Sequence, residues 1–339
     1  MNAALDSAPL LSVQELGVTY ALAGGVALRA VEDVSLDVAR GETLALVGES
    51  GCGKSSIAKA VLQLHPISSG RVLLQGRDLG SLGRRELREA RRSLQMIFQD
   101  PIASLNPRRR VRDILEAPLR IHGIGTANER RAHVERVLAL VHMDPAAVLD
   151  RYPHEFSGGQ CQRLSIARAI ILEPSLLVCD EAVSALDVSV RAQILNVLNE
   201  LRTSLGLSML FISHDLAVVR NVADRIAVMY LGKICEIGST DAIFLRSAHP
   251  YTAALIRAVP VADPDVPRPE PPSDVGEIPS PLAPPSGCRF RTRCPMAQAI
   301  CSAEVPTIKA IGNDHAVACH FPRSADGAAG NPNVDNQQQ

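Results

Sequence analysis

Between residues 11 and 47, apolar and polar side chains alternate, first through LSVQELGVTY and then through AVEDVSLDVARGETLALVG. A period of two predicts half-buried strands. The stretch closes on a fully apolar run, TLALVG, as a strand covered on both faces requires. Two further short apolar runs, in PSLLVCDE and LSMLFISHD, predict buried parallel strands. SVRAQILNVLNELRTSL, between them, has helical spacing. Residues from about 84 to 150 are helical and charged in pattern, and DRIAVMYLGKICEIG predicts a late hairpin turning at Gly232–Lys233.

The pattern breaks at residue 260. From Pro260 to Gly287, 10 of 28 residues are proline, so an extended linker is expected rather than a core element. A cysteine-rich segment, 288–320, follows, and the polar tail from 321 to 339 is expected to be disordered. No run of about 18 apolar residues occurs, and no secretory-type run opens the chain. The longest candidate, AIILEPSLLVC, is broken by Glu173 and Pro174. A cytosolic setting is therefore expected, with the eight cysteines reduced or metal-bound. Thirty-five basic against 36 acidic side chains leave a net charge of −1, which does not suit a nucleic-acid partner. Arginines cluster at 84, 85, 88, 91 and 92 and again at 108, 109, 110 and 112, as a solvated helix face or a docking surface.

GESGCGKS, residues 48–55, follows the strand TLALVG and fits the spacing of a phosphate loop. Small residues let the backbone curl until successive N–H groups converge on phosphate oxygens. Gly48, Gly51 and Gly53 supply that freedom, with Glu49, Ser50 and Cys52 between them. Lys54 is placed to reach the β and γ phosphates and Ser55 to ligate Mg²⁺, with Ser56 following. The helix starting there adds its positive end. Asp180 ends an apolar strand, where it can hold the cation, and Glu181 next to it can deprotonate an attacking water. His214, in FISHD, ends the next apolar run and can contact the γ-phosphate. Gln99, in MIFQDP, ends another and has an amide able to reach Mg²⁺ or water.

A second element, EFSGGQCQR (155–163), repeats the hydroxyl-and-glycine chemistry without a lysine. A serine-capped helix explains Ser157 but not Gly158, Gly159 and Gln160. The order of phosphate loop, glutamine, Ser-Gly-Gly-Gln, Asp-Glu, SALD and histidine resembles the ATP-binding cassette (ABC) transport ATPases, over about residues 10–260. The resemblance implies an α/β fold, the phosphate-loop nucleotide-binding domain of that family. Its core sheet is mixed and mostly parallel, joined by an antiparallel β subdomain and a helical subdomain at about 100–165. A small cysteine-rich C-terminal extension follows. It also implies ATP and Mg²⁺ as ligands, and a nucleotide sandwiched between one chain's phosphate loop and Ser157–Gln160 of a facing chain. Tyr20 matches the aromatic that stacks on adenine, with an ordinary strand aromatic as the alternative. Ser184, Ala185, Leu186 and Asp187 match the segment that touches the opposite site. Two residues depart from the family pattern: Ala182 stands where proline is common, and Cys161 replaces arginine or glutamine. Cys161 is expected to make the site sensitive to thiol reagents.

MIFQDPIASLNPRRRV, RYPHEFSGGQCQR, CDEAVSALDVSVRAQILN, HPYTAAL and PPSGCRFRTRCP narrow the resemblance to ATPases of oligopeptide and dipeptide importers, most similar to the F-type subunit of the oligopeptide permease. The implied setting is the cytoplasmic face of the inner membrane. There the chain pairs with a second, D-type ATPase as a heterodimer, beneath two membrane subunits served by an external peptide-binding protein. A related importer for nickel or another small solute is the alternative, and a soluble cassette ATPase a more distant one. In the tail, Cys288, Cys294, Cys301 and Cys319 lack the C-x₂-C pairs of zinc ribbons. They leave three readings open: a [4Fe–4S] cluster, as some members of the group carry, zinc with His315 or His320, or free thiols. Cys52, Cys179 and Cys235 are expected to be packing residues.

Overall fold

The computed structural model describes residues 8–184, 186–259 and 277–323. Most of the expected linker, nearly all of the expected tail and Ala185 lie outside the described residues. The chain opens with strands β1 (Leu11–Ala21), β2 (Ala27–Val38) and β3 (Thr43–Val47), then helix α1 (Lys54–Val61), β4 (Ser69–Leu74) and β5 (Arg77–Asp78). Helix α2 (Arg84–Ala90) and β6 (Leu94–Ile97) lead into a helical region: α3 (Pro101–Ser104), α4 (Val111–Ile121), α5 (Ala127–Leu140), α6 (Pro145–Val148) and α7 (Gly158–Ile170). Then come β7 (Leu176–Asp180), α8 (Val188–Leu205), β8 (Ser208–Ser213), α9 (Leu216–Val222), β9 (Arg225–Tyr230) and β10 (Lys233–Ser239). Helices α10 (Thr240–Arg246), α11 (Pro250–Arg257) and α12 (Ala299–Ala303) precede β11 (Lys309–Gly312) and β12 (His315–Val317). No helix among the described residues is long and apolar enough to cross a membrane.

One antiparallel sheet has the order β2-β1-β4-β5. The larger sheet runs β11-β12-β10-β9-β3-β8-β7-β6, parallel from β9 to β6 and antiparallel beyond β9. The continuous apolar runs have a simple cause. Alternate residues of each parallel strand enter two different cores. Leu44, Leu46, Leu176, Val178, Leu210 and Ile212 pack with the antiparallel sheet and α1. Ala45, Val47, Leu177, Cys179, Met209 and Phe211 pack with the helical region and α8. The carboxyl ends of β3, β6, β7 and β8 lie along one edge of this sheet, where ligands of open α/β sheets bind.

The arginine-rich stretch at 84–92 is not simply a solvated face. Arg91 reaches back to the carbonyls of Leu62 and Gln63 (3.2 and 2.8 Å), satisfying the C-terminal end of α1. The late hairpin turns at Leu231–Gly232, one residue before the expected pair, with φ of +41° and +86°. That places Leu231 in a backbone region it adopts only because the neighbouring chain fixes it. Gly232 N–H donates to Cys52 O (2.8 Å), and Glu32 N–H to Gly232 O (2.9 Å).

The C-terminal extension is not an appendage held by its own core. β12 pairs with β10 and so joins the main sheet. Phe290 is a member of the larger core, 5.3 Å from the rings of both Tyr230 and Tyr251. His249 sits beside this aromatic nest. Its ring is buried, and burial pushes its pKa down to about 4 while the nearby Glu236 pulls it the other way. Neutral Nδ1 accepts from Tyr251 N–H (3.0 Å), capping α11. Glu236 also accepts from the His249 and Ala248 amides and lies 2.7 Å from His315 Nε2. The folded-state value lies below the unfolded 6.5, so the unfolded chain binds the extra proton between them. The contribution of His249 is full above 6.5 and is lost as pH falls toward about 4. The melting temperature should drop across this window, and His249→Asn, which keeps an acceptor but does not titrate, should flatten the drop. Parallel pH profiles for the two proteins would contradict this.

Candidate functional site

The loop after β3 is shaped by three glycines at positive φ: Gly48 (+152°), Gly51 (+78°) and Gly53 (+112°). Two of them also stand where no Cβ fits. A methyl at Gly48 would come 2.1 Å from Met229 O, and one at Gly53 would come 2.3 Å from Ala30 O. Gly51 faces open space, so only its backbone angle demands glycine. Ser50 and Gly51 are exposed, Glu49 is half-buried and Cys52 is buried. Lys54 begins α1 and is buried. Its Nζ donates to Gly48 O (2.7 Å) and Glu49 O (3.0 Å), the loop's own carbonyls.

Asp180, at the end of β7, accepts from the Ser55 hydroxyl at 2.9 Å. It is 6% exposed, and burial raises its pKa while the Ser55 hydrogen bond opposes the rise. A desolvated carboxylate beside a hydroxyl is a donor set that suits a hard divalent cation, whose charge offsets the desolvation. Glu181 follows in a left-handed conformation (φ +48°), pinned by its N–H on Ile212 O (3.0 Å). Such a conformation costs of order 1 kcal/mol and aims the carboxylate away from the strand axis. Both its oxygens are engaged. Gln99 Nε2 donates to Oε2 (2.9 Å), and His214 Nδ1 lies 3.3 Å from Oε1. Residues from β6, β7 and β8 thus meet at one carboxylate. Tyr20 Oη donates to Ser56 Oγ (3.2 Å) and its ring lies 4.2 Å from that of His65, so the expected adenine aromatic stands against the first turn of α1.

Ser157 caps α7. It accepts from Gln160 N–H (3.4 Å), while Gln160 Oε1 accepts from Ser157 N–H (3.0 Å). Ser157, Gly158 and Gln160 are exposed. The two glycines differ. A methyl at Gly158 would meet open space, whereas one at Gly159 would come 2.5 Å from Val190 Cγ1 of α8, so a side chain there would force α8 to give way. Asp187 caps α8 through Val190 N–H (2.9 Å), and that bond lowers its pKa. Cys161 overturns the expected thiol sensitivity. It is fully buried, its Sγ donates to Pro153 O, and burial raises its pKa, so it offers reagents neither access nor thiolate. Cys52, Cys179 and Cys235 are buried as well.

Cys288, Cys294, Cys301 and Cys319 come together around one small cavity with His249, Phe290 and His320. The cavity holds about 10 Å³. Burial raises the pKa of Cys288 and Cys294, and that of Cys319 to about 11. Among the described residues no three His, Cys, Asp or Glu side chains are grouped to hold a metal ion. His315 turns instead to Glu236.

One feature had no sequence signal connecting its parts. Arg293, between the cysteines of the extension, forms a two-pronged ion pair with Glu49 of the loop (2.8 and 2.9 Å). The Glu49 N–H donates to Tyr251 Oη (2.9 Å).

Comparison with known proteins agrees with this geometry. The sequence profile of the family described as ABC transporter matches residues 31–184, and that of the oligopeptide/dipeptide transporter C-terminal region matches 235–301. The oligopeptide transport ATP-binding protein OppF of Salmonella typhimurium is 47% identical over 94% of this chain and 98% of its own length. OppF of Haemophilus influenzae is 46% identical over 91% and 96%. Among solved structures, the dimeric, ADP- and Pi-bound cassette MJ0796 superposes with a TM-score of 0.62 at 26% identity, covering 68% of this chain and 98% of that one. With relatives this similar along nearly its whole length, the chain belongs to the ABC transporter family, as an ATP-hydrolysing subunit that carries the C-terminal region of the oligopeptide/dipeptide transporters.

Proposed function

We propose that this chain drives uptake of peptides from the cytoplasmic face of the membrane, hydrolysing ATP at a site completed by a facing ATPase. The observation that supports the chemistry most directly is the convergence of Gln99 and His214 on Glu181, beside the Asp180–Ser55 pair. In this reading Lys54 leaves the carbonyls of Gly48 and Glu49 for phosphate oxygens, while loop amides surround the rest of the polyphosphate. Ser55, Asp180 and Gln99 would hold Mg²⁺, which supplies charge neutralisation of the phosphates. Glu181 accepts the proton of the attacking water, and His214 holds the γ-phosphate side of the site. Tyr20 stacks on the base.

The exposed, self-capped Ser157–Gln160 turn supports a role toward a second chain, where Ser157 would donate to a γ-phosphate and α7 would present its positive end. Asp187, at the N-cap of α8, lies in the segment read as touching that opposite site. The dimeric state of the MJ0796 cassette favours a facing ATPase, and the names of the OppF relatives favour peptide cargo. A D-type partner, two membrane subunits contacted near Gln99 and residues 100–150, and an external binding protein complete this reading.

The four thiols lining one pocket support a [4Fe–4S] cluster as a staple of the extension, and the turn of His315 to Glu236 disfavours zinc held with that histidine. The cavity, about 10 Å³, would have to widen to admit it. Protein purified without oxygen should contain iron and acid-labile sulfide near four per chain. Stoichiometric absence of both would leave four packed thiols.

Glu181→Gln should retain ATP binding and lower turnover of the assembled complex by about 10²-fold or more, because an amide accepts no proton. Unchanged turnover would remove Glu181 as the base. Ser157→Arg should leave nucleotide bound at this chain's own loop and impair the site facing it. A defect confined to its own loop would reject the shared site.

A further inference from the structure

We propose that Arg293 is a positioning residue for the nucleotide site, and that the cysteine-rich extension braces the phosphate loop through it. The inference rests on reading residues 48–55 as the phosphate cradle. Glu49 is the first residue after Gly48, so its backbone lies in the curl that must face the polyphosphate. Three contacts fix it from outside the loop. Its N–H donates to Tyr251 Oη (2.9 Å), and both carboxylate oxygens accept from the Arg293 fork (2.8 and 2.9 Å). The Arg293 side chain is 9% exposed, and its Nη1 also lies 3.3 Å from Tyr230 Oη. Its guanidinium sits 5.7 Å from the ring centres of Tyr230 and Phe290. A planar fork wedged between two aromatic rings has little freedom, so Glu49 inherits that rigidity.

Two physical consequences follow for a ligand with several negative charges. A carboxylate in the cradle opposes such a ligand unless it is neutralised, and Arg293 neutralises it. A loop with three glycines at positive φ has many alternative shapes, and bracing one of them lowers the ordering cost of binding. Both effects act on ground-state affinity. Neither places Arg293 at the reacting atoms, so the effect should appear in nucleotide binding and KM more than in kcat.

The second arginine of the extension provides a control. Arg289 anchors the same segment to Glu32 Oε2 (2.5 Å) and to Leu231 O, and reaches residues 48–55 at one remove, through the Gly232 N–H on Cys52 O (2.8 Å). The test uses the full-length chain, its melting temperature and the dissociation constant of a fluorescent ATP analogue. Arg293→Ala should weaken binding about tenfold, with kcat of the assembled complex within about twofold. Arg293→Lys should retain part of the affinity, because it keeps the charge but not the fork. Glu49→Ala added to Arg293→Ala should recover the part of the loss that comes from the unpaired carboxylate and leave the part that comes from the lost brace. Arg289→Met, which acts on the loop only through the Leu231–Gly232 turn, should weaken binding clearly less than Arg293→Ala does.

Loss of equal size in Arg293→Ala and Arg289→Met, with no recovery in the double variant, would reduce Arg293 to an ordinary docking contact and overturn the proposal. If Arg293→Ala does not fold, the lysine and double variants carry the comparison. Lys54→Ala separates the two readings. If it abolishes binding while every Arg293 variant binds normally, the brace alone fails. If it too binds normally, the cradle itself is misassigned.

Discussion

Close backbone approach behind the phosphate loop is the constraint on which the rest of the architecture depends. Gly48 and Gly53 are pressed against the carbonyls of Met229 and Ala30, at distances where any side chain would collide. The loop therefore needs β9 directly beside β3, and it needs β2 of the antiparallel sheet at its back. The Leu231–Gly232 turn joins these parts, receiving the Glu32 amide on one side and offering its own amide to Cys52 on the other. Curling the loop for an anion and seating the hairpin are thus one packing problem.

The elements that were legible in the sequence are those written in local pattern. TLALVG, LLVCD and SMLFIS read as buried strands because each feeds two cores and so carries no polar face. The glycine spacing of the loop and the strand-end positions of Asp180, Glu181 and His214 are equally local. What was not legible depends on partners far along the chain. Gly159 has a packing neighbour that its sequence does not show, Val190, 31 residues away. Arg91 looked like a surface charge, and the end of α1 claims it. The hairpin turn was misplaced by one residue because Leu231 adopts a positive φ that its side chain does not advertise. β12, at three residues, is too short for any period to reveal, yet it extends the main sheet.

The two glycine-rich elements, residues 48–55 and 157–160, are finished differently. The loop side is supported from several directions by β2, β9, α11 and the extension. The Ser157 side is a helix end closed by its own capping box and by contacts to α8, with its polar groups turned to solvent. At Glu181, the engagement of both carboxylate oxygens by Gln99 and His214 couples three strand ends in a single hydrogen-bonded set. A shift of β6 or of the β8 terminus is therefore felt at Glu181 directly.

The aromatic nest has one further consequence. Tyr230 and Tyr251 come from the cassette, and Phe290 comes from beyond the proline-rich stretch. A gene shortened to end after α11 would not merely shed an ornament. It would leave an oily notch open directly beneath the loop, strip Glu49 of its counter-charge and free the outer edge of β10 to pair with strangers. Residues 288–317 thus fold with the cassette as one unit, and an exchange of this segment between paralogues would have to exchange its matching floor as well.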